Sequence, residues 1–169
     1  MVDHGDIHLA VQGIGKSFGA TRALDEVSLD VISGTVHAFV GENGAGKSTL
    51  GKIISGAIAP DQGRIVLRGT PVAFRSPRAA LERGIALVAQ EIALVPHLTV
   101  VENVFLGAEP RRGAFISRAR MGERFDRLAA ETGFDVPAGA RVGRLPLAKQ
   151  QQVEVLRALA RNAELIVLD

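Results

Sequence analysis

The feature that most constrains the fold of this chain is a glycine-rich loop at residues 41–48, which reads Gly-Glu-Asn-Gly-Ala-Gly-Lys-Ser. Residues 36–40 before it are nearly all apolar, which predicts a strand covered on both faces. Residues 47–57 after it have the periodicity of a helix. Glycines let the backbone curl without a Cβ in the way, and curled N–H groups at the start of a helix bind anions. The pattern G-x-x-x-x-G-K-S in this setting therefore predicts a loop that holds the phosphates of a nucleotide.

Two side chains of the loop add chemistry to the backbone cradle. Lys47 is expected to place a positive charge near the β- and γ-phosphates, and Ser48 offers a hydroxyl ligand to Mg²⁺, which prefers oxygen donors. We predict that these residues contact the nucleotide: Gly41, Glu42, Asn43, Gly44, Ala45, Gly46, Lys47, Ser48 and Thr49.

The remaining pattern predicts an α/β core with an inserted helical subdomain. Apolar and polar residues alternate in two early segments, which indicates a small antiparallel sheet. Ser76 and Pro77 are typical of a helix start, and Gly84 of its end. The predicted strands are 7–11, 27–31, 36–40, 64–69, 85–88 and 165–169, and the helical stretches are 47–57, a start at 77, 99–132 with polar loops at 107–113, and 148–161.

Composition excludes several classes of site. The chain has no Cys, so disulfides and thiolate metal sites are excluded. The four His residues, His4, His8, His37 and His97, lack metal-ligand spacing. The formal net charge is +2. The densest basic cluster, Arg111, Arg112, Arg118 and Arg120, is interpreted as a solvated surface without an aromatic platform, and we expect no nucleic acid partner.

Neither a signal peptide nor a membrane span is predicted. Residues 1–6 are acidic with no apolar stretch behind them. The longest apolar candidate, residues 85–95, is interrupted by Gln90 and Glu91, and spanning a bilayer takes about 20 apolar residues. We therefore expect a cytoplasmic protein that reaches a membrane only through a partner.

Four segments resemble the ATPases of ABC transporters in order and spacing. "GENGAGKSTL" at 41–50 resembles their Walker A motif, and "VAQEIALVPHLTVVENVFLG" at 88–107 their Q-loop and the segment after it. "LPLAKQQQVEVLRALA" at 145–160 resembles the signature motif with its helix, and "ELIVLD" at 164–169 resembles Walker B. The wording is most similar to the importers of simple sugars such as ribose, galactose and xylose, in which one polypeptide usually carries two tandem ATPase domains.

The resemblance implies a fold and a domain organisation. It implies a P-loop NTPase core with a small antiparallel β-subdomain and a helical subdomain at about residues 96–161. Residues 1–169 would form part of one ATPase domain that ends at Walker B. The family places further strands beside the P-loop strand, and these follow Walker B. Residues 1–169 lack them, so Phe39 and Val40 are expected to face water on an unpaired edge. An isolated chain of this length is expected to be poorly stable, oligomeric, or structurally complete only within a longer polypeptide.

The resemblance also implies roles for three residues outside the loop. Phe18 stands where an aromatic side chain stacks on adenine. Gln90 stands at the Q-loop, where the amide reaches Mg²⁺ and the attacking water. Asp169 stands at the Walker B carboxylate, which holds Mg²⁺ through its water shell. Lys47, Gln90 and Asp169 are thus the expected catalytic residues, and Ser48, Gln90 and Asp169 the expected metal-binding ones.

The sequence departs from the family at two places. The signature, usually L-S-G-G-Q, is here Leu145, Pro146, Leu147, Ala148 and Lys149. Proline has neither a hydroxyl nor an N–H, so a weak contact to the opposite subunit's γ-phosphate is expected. The family also places a Glu directly after the Walker B Asp and a switch His further on, and neither is present in residues 1–169, so efficient hydrolysis by this chain alone is not expected.

The resemblance implies ATP and Mg²⁺ as ligands. It also implies a second ATPase domain in a head-to-tail dimer, membrane-spanning permease subunits, and, indirectly, a periplasmic sugar-binding protein. The chain would lie at the inner face of the membrane. Three alternatives stay open: a binding-only remnant without ATPase activity, a different P-loop enzyme, and a soluble ABC ATPase that acts on DNA or in translation. A GTPase is disfavoured because the chain contains neither N-K-x-D nor D-x-x-G.

Overall fold

The fold is taken from a computed structural model, which describes residues 6–169. The chain divides into two compact units, Met1–Glu82 together with Asp169, and Arg83–Leu168. Residues 1–5, which carry His4 and most of the segment tested for a signal peptide, lie outside the described residues.

The first unit is built on an antiparallel sheet, as the alternating segments predict. Its four strands are hydrogen-bonded in the order β2-β1-β3-β4. The strands run longer than their alternation predicts, because register shifts let β1 and β2 stay paired where the alternation breaks. The strands are β1 (Ile7–Phe18), β2 (Thr21–Ile32), β3 (Gln62–Leu67) and β4 (Thr70–Val72).

Two helices belong to the first unit, α1 (Lys47–Ile54) and α2 (Pro77–Leu81). Helix α1 begins directly after the glycine-rich loop and buries Leu50, Ile53 and Ile54. It ends three residues earlier than the predicted 57, and Gly56 follows it with a φ of 72°. Ser76 caps α2 by accepting a hydrogen bond from the Ala79 N–H, which confirms the predicted helix start.

The prediction of a buried strand at residues 36–40 is wrong. The segment has no regular secondary structure and pairs with no strand among the described residues. Val36 is 97% exposed and Val40 is 94% exposed. An apolar run becomes a buried strand only where neighbouring strands supply hydrogen-bond partners and cover its faces. The expectation that Phe39 and Val40 face water is confirmed, with exposures of 39% and 94%.

The second unit combines a parallel strand pair with three helices, as predicted for the helical stretches. Strands β5 (Ile85–Val88) and β8 (Leu165–Leu168) pair in parallel. The helices are α3 (Val100–Phe105), α4 (Arg118–Thr132) and α5 (Leu147–Ala160). They pack around one apolar core to which all three contribute: Val100, Val104, Phe105, Met121, Phe125, Val136, Val142, Val153, Leu156 and Ala160.

A short hairpin interrupts the helical stretch between α3 and α4. Its strands are β6 (Arg111–Arg112) and β7 (Phe115–Ile116). Phe115 is 79% exposed, and Arg111 and Arg112 are exposed beside it. The interpretation of this basic cluster as lacking an aromatic side chain is therefore wrong, because the tight turn at Gly113 brings Phe115 into it.

No helix within residues 6–169 is long and apolar enough to cross a membrane.

Candidate functional site

The glycine-rich loop curls into a compact turn ahead of α1. Gly44 and Gly46 have φ values of 86° and 85°, a left-handed conformation that other residues rarely adopt. The Lys47 ammonium folds back over the loop and donates hydrogen bonds to the carbonyl oxygens of Gly41 at 2.7 Å and Glu42 at 2.8 Å. The lysine thus holds the curl closed from within.

One glycine of the loop is required by packing as well as by its φ. A Cβ at Gly46 would lie 2.5 Å from the carbonyl oxygen of Ala23 and 2.6 Å from Cδ2 of Leu24. Both contacts come from β2, and Leu24 is itself buried. The start of α1 is therefore pressed against the β1–β2 hairpin, and only a glycine fits between them.

The first turn of α1 has the properties of an anion-binding helix end. Gly46 caps the helix without any side-chain hydrogen bond, and no acidic residue occupies the first turn. Exposed backbone N–H groups and the positive end of the helix dipole both favour a bound anion. Ser48 is exposed on this turn, so its hydroxyl is accessible to a ligand.

Phe18 lies at the end of the same hairpin that contacts Gly46. Its side chain is 49% exposed, and the Lys16 ammonium lies 5.6 Å from the centre of its ring. Asp61 anchors this end, because its carboxylate accepts hydrogen bonds from Lys16 Nζ at 2.7 Å and from the Ser17 N–H at 2.8 Å. These hydrogen bonds lower the pKa of Asp61, the one from Lys16 having the larger effect and the one from Ser17 the next. Asp61 thus holds the end of the hairpin, and the Phe18 ring is half-exposed there beside Lys16.

The lowered pKa of Asp61 gives this anchor a defined pH dependence. A carboxyl group whose pKa is lower in the folded than in the unfolded chain stabilises the fold above its unfolded pKa. That contribution is lost as the pH falls through the folded pKa. The anchor of the Phe18 hairpin is therefore intact at neutral pH and released only in acid.

Gln90 belongs to the second unit and follows β5 by two residues. Its side chain is exposed. The segment after it is ordered by Asn103, which is fully buried in α3. Asn103 accepts a hydrogen bond from the Val95 N–H at 2.8 Å and donates to the carbonyl oxygens of Val95 and Thr99, each at 3.0 Å.

The predicted signature residues also lie in the second unit, at the start of α5. Pro146 caps the helix, and its carbonyl oxygen accepts from the N–H groups of Lys149 at 2.9 Å and Gln150 at 3.1 Å. Leu147 is 65% exposed. The Lys149 ammonium donates to the Asp135 carbonyl oxygen and lies 3.7 Å from the Asp135 carboxylate. The charge that replaces the usual Gln is therefore held by Asp135.

Asp169 follows β8 and is exposed, and it groups with the first unit. Phe18, the loop residues and Asp169 thus belong to one unit, and Gln90 and the signature residues belong to the other. Among residues 6–169, no cluster of three or more His, Cys, Asp or Glu side chains could hold a metal ion.

Sequence reasoning missed the residues that support the site. Thr99 and Glu102 form a reciprocal capping box at the start of α3, and the spacing T-x-x-E was a usable signal. The roles of Asp61 and Asn103 carry no comparable signal, because the tertiary fold determines which groups they meet: Lys16 and Ser17 for Asp61, and the backbone of Val95 for Asn103.

Comparison with known proteins is consistent with this arrangement of motifs. The ABC transporter family profile matches residues 24–169. A ribose import ATP-binding protein of Yersinia pestis is 45% identical over 161 residues, which are 95% of this chain and 32% of that protein. A Burkholderia cenocepacia protein, named as a ribose/galactose/methyl galactoside import ATP-binding protein, is 48% identical over 95% of this chain and 31% of its own length. The chain thus spans about a third of the length of these relatives.

Solved structures agree with the fold. A nucleotide-free ATP-binding cassette from an ABC transporter superposes with a TM-score of 0.81 at 28% identity, covering 96% of this chain and 68% of that one. A dimeric bacterial ABC transporter cassette superposes with a TM-score of 0.77 at 26% identity, covering 95% of this chain and 73% of that one.

Proposed function

Because the chain belongs to the ABC transporter family, we propose that it binds ATP and couples ATP binding and hydrolysis to the import of a sugar. The observation that carries this proposal is the loop at residues 41–48, closed by Lys47 at the start of a helix with a free positive end. The sugar substrate is inferred from relatives named for ribose and galactose import.

Different groups of the loop bind different parts of the triphosphate. The backbone N–H groups from Gly41 to Thr49 surround the phosphates, and the helix dipole favours their charge. Lys47 Nζ leaves the carbonyl oxygens of Gly41 and Glu42 and binds the β- and γ-phosphate oxygens. Phe18 stacks on the adenine from the hairpin that contacts Gly46.

The donors that the family resemblance assigns to the metal have the chemistry that Mg²⁺ prefers. Ser48 supplies a hydroxyl, Gln90 an amide oxygen and Asp169 a carboxylate, and all three side chains are exposed and oxygen-bearing. Held by these residues, Mg²⁺ would neutralise phosphate charge. Gln90 would orient the attacking water, and Asp169 would hold the ion through its bound water.

We propose that the chain acts in a head-to-tail pair with a second ATPase domain, each P-loop being completed by the other's signature motif. Membrane-spanning permease subunits are the proposed partners of the Q-loop segment and of a helical subdomain at about residues 96–161. A periplasmic sugar-binding protein would act through the permease. This arrangement places the chain at the cytoplasmic face of the membrane.

Calorimetric titration of the chain with Mg-ATP tests the function directly. We expect saturable binding, and a melting midpoint that rises with ATP, since a ligand at 100 times its Kd adds about 2.7 kcal/mol of stability. Circular dichroism is the appropriate probe because the chain contains no Trp. A folded chain that gives neither heat nor a shift in melting would contradict the proposal.

Replacing Phe18 by alanine is expected to weaken ATP binding by about 1–3 kcal/mol, the usual worth of base–aromatic stacking. Phe18→Tyr keeps a ring at the same place and should bind ATP like the original chain. Phe115→Ala removes another exposed Phe and should leave the affinity unchanged. Equal affinities of Phe18→Ala and Phe18→Tyr would show that the ring does not stack on the base.

Replacing Pro146 by serine is expected to raise the ATPase rate of the complete polypeptide that contains this chain. The hydroxyl restores the donor that the family's signature directs to the γ-phosphate, and proline provides none. ATP affinity of the P-loop should not change. An unchanged rate would show that the proline at this position is harmless.

A binding-only role is the second candidate, and Pro146 is the observation that favours it. In that case ATP would bind and close the dimer, while the composite site served by this signature would not turn over. ATP binding without hydrolysis in the complete transporter would support this role.

A further inference from the structure

The segment at residues 89–95 combines irregular structure with an ordered backbone. It contains neither helix nor strand, and it connects β5 to the turn before α3. It also carries Gln90. Irregular backbone needs hydrogen-bond partners from elsewhere to hold one conformation.

Two side chains of α5 hold a single residue of this segment, Ala93, through hydrogen bonds to its N–H and to its carbonyl oxygen. We call this pair of hydrogen bonds the grip on Ala93. Glu154 Oε1 accepts a hydrogen bond from the Ala93 N–H at 2.8 Å. Arg157 Nη1 donates to the Ala93 carbonyl oxygen at 2.8 Å. Residues three apart on a helix share one face, so one surface of α5 presents the acceptor and the donor together.

Glu154 is an unusual residue for this position because it is only 8% exposed. Burying a carboxylate is costly unless it is hydrogen-bonded. Within the part of the chain that the structure describes, its bond to Ala93 is the one hydrogen bond that its side chain makes, since Oε2 is buried without a partner. Glu154 is the one charged residue among the buried residues of α5, and the others, such as Val153 and Leu156, are apolar.

The grip on Ala93 fixes the path of the backbone around Gln90. On one side, β5 is held to β8 as far as the pair Val88–Leu168. On the other side, Ala93 is held by α5. Four residues, 89–92, therefore lie between these two held positions, and Gln90 is one of them. An extended chain reaches at most about 3.6 Å per residue, which limits where Gln90 can lie. Without the grip, the free span would extend to Val95, the residue that Asn103 holds.

We infer that Glu154 is a positioning residue for Gln90, acting with Arg157 through the backbone of Ala93. The inference rests on the proposed function, in which the Gln90 amide meets the magnesium ion and the attacking water. The grip places Gln90 for the chemical step and leaves ATP binding at the P-loop unaffected. It also attaches the Gln90 segment to α5, the helix that Pro146 caps.

The test compares Glu154→Ala, Glu154→Gln and Gln90→Ala in the complete polypeptide that contains this chain. We expect Glu154→Ala to lower kcat for ATP hydrolysis about tenfold, as small misplacements do, with KM within about twofold. Glu154→Gln should retain most of the rate, because its amide oxygen can accept the same Ala93 N–H. A loss of rate in Glu154→Gln as large as in Glu154→Ala would overturn the inference.

A double-mutant cycle separates positioning from a general structural role. If Glu154 acts through Gln90, Glu154→Ala should lower kcat no further once Gln90 is alanine. Two losses that multiply would overturn the inference.

Amide exchange keeps the inference testable even if Glu154→Ala does not fold or the polypeptide proves to have no ATPase activity. The Ala93 N–H of the unaltered polypeptide should exchange at least about tenfold more slowly than the exposed amides of the same segment, because it is hydrogen-bonded to a buried carboxylate. Rapid exchange at Ala93 in the folded protein would overturn the grip itself. Failure of Mg-ATP to bind the unaltered protein would instead overturn the proposed function.

Discussion

Replacing Lys47 by alanine is expected to weaken Mg-ATP binding by about 100-fold or more, or about 3 kcal/mol, the usual cost of removing one partner from a desolvated charge pair. The ammonium already lies inside the loop, 2.7 Å from the Gly41 carbonyl oxygen and 2.8 Å from that of Glu42. It needs only to exchange these acceptors for phosphate oxygens. Calorimetric titration of the chain measures the loss.

Lys52→Ala is the matched control for this substitution. Lys52 is exposed and lies in the last turn of the same helix. Its replacement therefore removes the same formal charge from α1, but at the end away from the loop. We expect ATP affinity to stay within about twofold, with a stability loss of about 0.3–1 kcal/mol from the weakened interaction with the helix dipole. A comparable loss of ATP affinity in both variants would show that net charge, and not the position of Lys47, controls binding.

Lys47→Ala also reports on the loop before nucleotide binds. Its two hydrogen bonds to backbone carbonyls close the curl, so their removal should cost the free chain about 1 kcal/mol in unfolding free energy. The expected signature is therefore a small change in the melt of the free chain together with loss of the ATP-dependent shift. An unchanged ATP-dependent shift in Lys47→Ala would contradict the assignment of this loop as the phosphate site.

The sequence predicted the parts of the fold that depend on neighbouring residues. The cap at Ser76, the helix α5 and the strand Ile85–Val88 all follow from short-range patterns, and each is confirmed. The failure at residues 36–40 has a physical cause, since burial of a strand depends on partners that no local pattern reports. Val40 has an apolar side chain typical of a core, yet it is 94% exposed because no neighbouring strand covers it.

The supporting residues of the site show the same limit. Lys47 is predicted as a site residue from a contiguous motif, whereas Glu154 and Ala93 are 61 residues apart and meet only in the folded chain. Phe115 stands near the basic cluster in the sequence, but only the hairpin register shows that it lies opposite Arg112. Local motifs therefore predict which residues belong to the candidate site, and long-range contacts determine how those residues are positioned.

Replacing Gly46 by alanine is expected to lower the unfolding free energy by about 3 kcal/mol. Its φ of 85° imposes a strain of about 1–2 kcal/mol on any L-residue. The added Cβ would also lie 2.5 Å from the Ala23 carbonyl oxygen, and overpacking of this kind costs a further 1–3 kcal/mol, roughly. Chemical denaturation followed by circular dichroism measures the total.

Gly44→Ala separates these two contributions. Gly44 has nearly the same φ, 86°, yet a Cβ there would have no atom within 4 Å. We expect it to cost about 1–2 kcal/mol, the strain alone. Because Gly44 is exposed at the turn of the phosphate loop, its methyl group should weaken ATP binding more than it weakens the fold. Equal losses of stability in the two variants would mean that the contact with Ala23 does not press α1 against the hairpin. Gly46 would then serve the loop through its backbone conformation only.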